Sequence, residues 1–243
     1  MISERLQYII DVVPILDTIA DIGTDHGYIP VNLIKKSRAK KIIASDISKQ
    51  SLQKAKDIII KNHFENVIDT RLGNGIDILD IDEADGVIIA GMGGILISKI
   101  LETSYSNKFI NKKPVLILQP VQQAKELRYY LYENNFKITD EYVMQENNKI
   151  YHIIIAEKHH KIDDRYDKIA KHKDIYMEFG IINIEKKSEL LSKIIRNNIE
   201  KIKILINELS KKSVEQQHID FLKDRLKNME DIYYETWGTY PKA

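Results

Sequence analysis

The chain contains no cysteine, which excludes disulfides and thiolate zinc sites and leaves the fold to be held by packing alone. No stretch approaches the ~18 consecutive apolar residues of a transmembrane helix, and Met1-Ile2-Ser3-Glu4-Arg5 lacks the basic segment and apolar run of a secretory signal. A soluble, unprocessed, cytoplasmic chain is expected. Strong net charge is missing too: 37 Lys+Arg stand against 36 Asp+Glu, a formal charge of +1, so bulk electrostatics name no partner. No Ser-His-Asp or Cys-His grouping offers a nucleophile, and His159-His160, adjacent in sequence, lacks the spacing of paired metal ligands. No metal is expected.

What remains is a chain of 243 residues, 43% hydrophobic, enough for one full α/β domain and a smaller appendage. A lead-in helix is predicted over residues 3–13, where Leu6, Ile9, Ile10 and Val13 recur at helical spacing and suit the edge of a sheet. The first strand and its glycine turn are predicted over 18–27 and further strands at 41–45, 67–72, 86–90 and 114–118, alternating with helices to about Lys36 and over 49–62, 95–105 and 121–134. Two more strands, 137–145 and 150–157, flank a turn at Asn147-Asn148. Alternation predicts a doubly wound, mostly parallel seven-stranded sheet, and the short polar turn makes the last strand antiparallel.

Glycine and strand patterning both fade after Glu157: from Lys158 on, glycine occurs only at 180 and 238. Apolar residues recur there at Leu191, Ile195, Ile202, Leu205 and Leu209, then at Ile219, Leu222, Leu226, Met229 and Tyr233. These steps predict two coiled-coil-like helices with a break near Ser210 to Ser213, and Asn198 on the first seam as a register-setting polar residue. The domains are therefore drawn as 1–157 and 158–243. The second carries 18 Lys+Arg against 15 Asp+Glu, the first 19 against 21.

The organising stretch is Ile19-Ala20-Asp21-Ile22-Gly23-Thr24-Asp25-His26-Gly27-Tyr28. It reads as a buried strand, a tight glycine turn and a helix start, a device that brings backbone N–H groups to a polar ligand. Gly23 and Gly27 also suit a plain strand end and helix cap. A dinucleotide fold would seat a pyrophosphate in such a loop, but Thr24-Asp25 puts a carboxylate where the anion would go. The same carboxylate favours a cationic ligand such as S-adenosylmethionine.

Ligands of open parallel sheets bind beyond the carboxyl ends of the strands, and each of the first five strands here ends in a polar or glycine-rich tip. Asp46 follows Gly23 by 23 positions, where an acid chelates ribose hydroxyls; the other reading is a cap for the helix near Ser48. Asn74, between Gly73 and Gly75, suits the edge of an adenine or a plain turn. Ala90-Gly91-Met92-Gly93-Gly94 leaves room for a flat base, and Gln119-Pro120 ends the fifth strand.

Asp21-Ile22-Gly23-Thr24-Asp25-His26-Gly27-Tyr28-Ile29-Pro30, Ser45-Asp46-Ile47, Gly73-Asn74-Gly75, Ile89-Ala90-Gly91-Met92-Gly93-Gly94 and Leu118-Gln119-Pro120, followed by a helical tail, closely resemble the bacterial tRNA adenine-22 N1-methyltransferases. The resemblance runs over essentially the whole chain. It implies a class I methyltransferase fold with a helical hairpin that helps hold tRNA, S-adenosylmethionine as donor, and methylation of N1 of an adenine in the D-arm region.

Tips and resemblance together place the donor on Asp21, Gly23, Thr24, Asp25, Gly27, Asp46, Ile47, Gly73, Asn74, Gly75, Ala90, Gly91, Met92 and Gly93. Two departures from the generic class I pattern stand out: Asp25 and His26 replace a third glycine, and the Asn/Asp-Pro-Pro-aromatic signature of amino-group methylation is absent from the fourth tip, which argues against N6.

Adenine N1 offers a lone pair, so the displacement needs alignment more than a base. Asp25 is the candidate for stabilising the cationic product, or else an Asx turn or a contact to the donor ammonium. His26 is a candidate at the pocket mouth or a structural hydrogen-bonder, and Gln119 a candidate for the target base edge. Tyr28 and Met92 are read as packing on a flipped base or as core. For tRNA phosphates the hairpin offers Lys186, Lys187, Lys193, Arg196, Lys201 and Lys203, unless these form only a solvated face. The rival readings are an NAD-dependent enzyme using the same Asp46 and a non-catalytic binding protein.

Overall fold

The structure is a computed structural model that describes residues 2–161, 163–211 and 216–238, with 167 and 168 described by backbone alone. It divides into two compact units, Met1–Asp163 and Asp164–Ala243.

The first unit runs α1 (Glu4–Val12), β1 (Leu16–Ile22), α2 (Tyr28–Lys35), β2 (Ala39–Asp46), α3 (Lys49–Lys61), β3 (Ile68–Leu72), β4 (Gly86–Met92), α4 (Gly94–Lys108), β5 (Val115–Pro120), α5 (Ala124–Glu133), β6 (Phe136–Glu146) and β7 (Lys149–Lys158), with a 3₁₀ turn at Gly75–Ile78. The strands form one sheet in the order β3-β2-β1-β4-β5-β7-β6. β1 to β5 pair in parallel, and β7 is antiparallel to both its neighbours. Ile19, Ala20, Asp21 and Ile22 are all buried, as expected of a central strand covered on both faces. Strand order reverses between β1 and β4, and a crevice opens beyond their carboxyl ends.

Local chemistry sets the boundaries. Ser3 caps α1 by accepting from Leu6 N, and Ser48 caps α3 by accepting from Ser51 N, each at 3.2 Å. Asn147 and Asn148 adopt φ of 49° and 61°, the two left-handed residues of a primed hairpin turn. The predicted strands and helices of this unit are all present, with shifted ends. One of the two three-residue shifts is in α5, which begins at Ala124 because Gln123 is left-handed (φ 62°). Its backbone lies so close to Gly94 that a Cβ there would meet Gln123 O at 2.0 Å.

The second unit is helical: α6 (Arg165–Lys168), α7 (Lys173–Phe179), α8 (Ile181–Glu185), α9 (Glu189–Leu209) and α10 (Gln216–Trp237). The short helices before α9 carry no long periodicity and escaped the sequence reading. Ser192 Oγ meets Tyr233 OH at 3.1 Å and Lys203 pairs with Glu230 at 2.9 Å, so α9 and α10 run antiparallel. On α10 the expected positions Ile219, Leu222, Met229 and Tyr233 are buried, joined by Ile232, while Leu226 is only half-buried. On α9 the buried positions are Leu191, Ile195 and Ile199. Ile199 is buried where Asn198, half-buried, was expected, and Leu205 is exposed. A step of four from Ile195, where a step of three to Asn198 was expected, accounts for the slip. Ser213, at the end of the expected break, lies outside the described residues. No described helix is long and apolar enough to cross a membrane.

Candidate active site

The loop after β1 is drawn onto β2 by a shared acceptor: Gly23 N and Thr24 N both donate to Ser45 O at 2.8 Å. Gly23 has φ 78°, the left-handed region that favours glycine, and the end of the Met92 side chain, from the β4 tip, packs against it. Asp25 continues left-handed at φ 49°. Its N–H donates to Asp46 Oδ2 at 3.2 Å, while Asp46 Oδ1 accepts from Ser48 N at 2.7 Å. Ser48 is thus the cap of α3, and Asp46 ties the glycine loop to the end of β2 with lone pairs left for a ligand.

Between these tips lies a cavity of about 370 Å³ lined by Arg5, Leu6, Asp21, Gly23, Thr24, Asp25, His26, Tyr28, Ile29, Asp46, Ala90, Gly91 and Met92. Beneath it, Asp21 Oδ2, Thr24 Oγ1 and Ser45 Oγ are buried without a hydrogen-bond partner. Burial pushes the Asp21 carboxyl up to about 7; the Thr24 hydroxyl, close but outside bonding geometry, draws it back, and the charge of Asp46 adds to the rise. A buried acid with an orphaned oxygen is costly unless a ligand satisfies it. Asp21, Asp25 and Asp46 around one glycine loop would repel a pyrophosphate and suit a ligand with an ammonium, a sulfonium and ribose hydroxyls. The site therefore fits S-adenosylmethionine and does not fit NAD.

Asp25 Oδ2 lies 2.6 Å from His26 Nδ1, and the His26 ring stacks on Tyr28 at 5.7 Å and 13°. This carboxylate-imidazole-phenol row stands at the cavity's edge, with Tyr28 exposed.

Some expected residues are placed otherwise. Gln119 is fully buried; its Oε1 accepts from Arg5 Nη1 and Gly91 N, and its Nε2 donates to Pro120 O. Both ends of the amide are used inside the protein, so it faces no base edge, contrary to the sequence reading. Gly27 lies off the cavity lining: it starts α2, and a Cβ there would meet Ala55 at 3.0 Å. Gly73, Gly75 and Gly93 are likewise off the lining, crowded by Ile78, Ile100 and Gln123. Ile47 (73% exposed) and Asn74 sit on the neighbouring tips of β2 and β3, beside the lining rather than in it. The Asn74 side chain makes no hydrogen bond to a described residue.

Arg5 and Leu6 were missed. Their only sequence signal is a place on an amphipathic lead-in helix, and nothing in that pattern says it ends over the crevice. Among the described residues no group of three His, Asp or Glu is placed to hold a metal ion.

The family described as a methyltransferase domain matches residues 2–154. The tRNA (adenine(22)-N(1))-methyltransferase of Bacillus subtilis (strain 168) is 35% identical over 169 residues, 70% of either chain. The crystal structure of the B. subtilis tRNA methyltransferase TrmK matches at a TM-score of 0.80 and 28% identity, over 96% of this chain and 99% of that one. Streptococcus pneumoniae Sp1610, solved in complex with S-adenosyl-L-methionine, matches at 0.78 and 26%, over 96% and 100%. With its glycine loop, paired acids and reversed strand order, the chain belongs to the tRNA (adenine(22)-N(1))-methyltransferase family and carries that family's class I methyltransferase domain.

Proposed function

We propose that the protein transfers a methyl group from S-adenosylmethionine to N1 of adenine 22 of tRNA in the cytoplasm. The observation that carries this is the pairing of a buried, unsatisfied Asp21 with Asp46 on one crevice, beside glycine tips from β1 and β4. The donor supplies an electrophilic methyl on a sulfonium. Asp46 accepts the ribose hydroxyls, Asp21 faces the ammonium, and Ile47 and Asn74 flank the adenine of the donor from the β2 and β3 tips. Gly23, Thr24, Ala90, Gly91 and Met92 shape the floor.

Adenine N1 attacks with its own lone pair and needs no proton removed; the C–S electron pair leaves with sulfur and the base becomes cationic. Asp25, held by His26, places negative charge at the mouth where that cation forms. Tyr28 and His26 offer a stacked edge for a base turned out of its helix. Residues 1–157 form the donor domain on this reading, and 158–243 hold the tRNA.

Incubation with tRNA and labelled donor, followed by nucleoside analysis, tests the proposal: N1-methyladenosine is expected. N6-methyladenosine, or no transfer, overturns it.

The protonation of Asp21 adds a pH signature. Its carboxyl rises from an ordinary 3.8 to about 7 in the fold, so the stability it contributes is present below about 4 and lost as pH climbs through about 7. An ammonium ligand needs the charged form, so donor affinity is expected to rise through pH 7 and then level. Calorimetric titrations across this range check it; Asp21→Asn should bind weakly and without that rise.

On the hairpin, Lys193 already pairs with Glu189 at 2.9 Å, and Lys203 with Glu230 at 2.9 Å, whereas Arg196 and Lys201 make no ion pair with a described residue. Replacing Lys193, Arg196 and Lys201 together by Glu is expected to weaken tRNA binding at least tenfold and flatten its salt dependence. Donor affinity should be unchanged. Filter binding at several salt concentrations, with tRNA affinity unaltered, would remove the hairpin from recognition.

A further inference from the structure

The heptad seam of α9 is only partly used by its own neighbour. Ser192 and Lys203 both reach α10, the first at Tyr233 and the second at Glu230, and at about 100° per residue they lie on one side of the helix. Leu205, two residues beyond Lys203, is turned about 200° from that side. It points away from α10 and is 39% exposed. Ile202 and Leu209 flank it at steps of three and four and are only half-buried, and Asn198, also half-buried, precedes Ile202 by a further step of four. A row with this spacing is a coiled-coil face, and among the described residues it is left open to solvent.

The edge of this face carries charge in a particular order. With Ile202 and Leu209 at heptad positions a, and Asn198 and Leu205 at d, Lys201 and Glu208 occupy successive g positions. Both are exposed. Neither makes an ion pair with a described residue, although Lys193 and Lys203 on the same helix do. Lys201 and Glu208 cannot serve each other, because two turns of helix, about 10 Å, separate them.

A second copy of the helix resolves both features at once. In an antiparallel pair, a positions meet d positions and the g edges face each other. The register that sets Ile202 on the second copy's Leu205 also sets Leu209 on its Asn198. In that same register Lys201 of each copy falls within about 3 Å, along the helix axis, of Glu208 of the other. One arrangement thus covers the apolar row and pairs both charges, which is the self-complementarity that a two-fold interface requires.

We propose that residues 198–209 form a homodimer interface, in which two copies of α9 pack antiparallel through Ile202, Leu205 and Leu209 and reciprocal Lys201–Glu208 pairs fix the register. A seam of under two heptads buries less than a permanent dimer needs, so the association is reversible, with a Kd on the order of 10–100 µM. An RNA backbone is the competing occupant, but it gains nothing from the apolar row and is repelled by Glu208.

Sedimentation velocity of the full chain without tRNA, from about 2 to 200 µM, tests this by mass action. Wild type should pass from monomer to dimer across the range. Lys201→Glu and Glu208→Lys each set like charges across the seam and should weaken the dimer at least about tenfold. The double exchange, Lys201→Glu with Glu208→Lys, restores opposite charges and should recover wild-type association. Leu205→Lys should stay monomeric with an unaltered helical signal by circular dichroism.

A wild type that remains monomeric at the highest concentration overturns the proposal. A dimer that tolerates Leu205→Lys does so too, as does one that either single charge change weakens and the double exchange does not recover. If these variants change tRNA affinity alone, the face belongs to RNA and the proposal falls.

Discussion

Asp46→Ala is expected to weaken S-adenosylmethionine binding roughly 100- to 10,000-fold and to abolish methyl transfer at ordinary donor concentrations. The size follows from the proposed ribose contacts, two hydroxyl donors on one carboxylate, each bond to a charged group worth about 1.5–3 kcal/mol. Asp46 also accepts from Asp25 N and Ser48 N, so its removal releases the glycine loop from β2 as well. Asp46→Asn separates the two roles: its amide oxygen can keep one of those backbone bonds, while the charge that strengthens both ribose contacts is gone. Calorimetry should therefore place Asn between wild type and Ala, and a melting curve should show both variants folded. Donor binding by Asp46→Ala within a fewfold of wild type would defeat the assignment of this acid to the ribose.

The largest effect on stability is expected far from the crevice. Arg128 on α5 and Glu141 on β6 are both fully buried and paired at 2.6 Å, with His152 Nδ1 of β7 3.2 Å from Arg128 Nη2. Burial, with the Arg128 charge behind it, lowers His152 to about 3, so the imidazole is neutral and can accept from the guanidinium. Arg128→Met strands a carboxylate in the interior and should cost about 3–5 kcal/mol, a large share of the usual 5–15 kcal/mol of a folded domain.

The double variant Arg128→Met with Glu141→Leu removes both charges and should recover most of the loss, since a buried pair replaced by apolar groups of similar volume is often near neutral. Urea unfolding of the single and double variants measures this. An Arg128→Met protein as stable as wild type would mean that Glu141 is protonated or hydrated in the fold. Donor affinity should stay close to wild type in the double variant, because the cluster holds α5, β6 and β7 together rather than lining the cavity.

The elements of the first unit were legible because their signals are local. Buried runs such as Ile19–Ile22, the Ser3 and Ser48 caps and the Asn147-Asn148 turn act over three or four residues, and the chain can satisfy them without long-range help. Asp21, the Gly23 loop and Asp46 were legible for a related reason: β1 and β2 are neighbours, so spacing along the chain translates into proximity at one end of the sheet.

The sequence by itself thus determined the alternation of strands and helices, the polar strand tips and the resemblance that names the family. Tertiary structure alone decided that β7 slides between β5 and β6, that Gln119 turns inward rather than toward a base, and that Ile199 instead of Asn198 is buried on α9. It alone also brought Arg5 to Gln119 across 114 residues of chain. Periodicity says which face of an element is buried, but not which other element covers it; that choice belongs to the packing of all the faces at once.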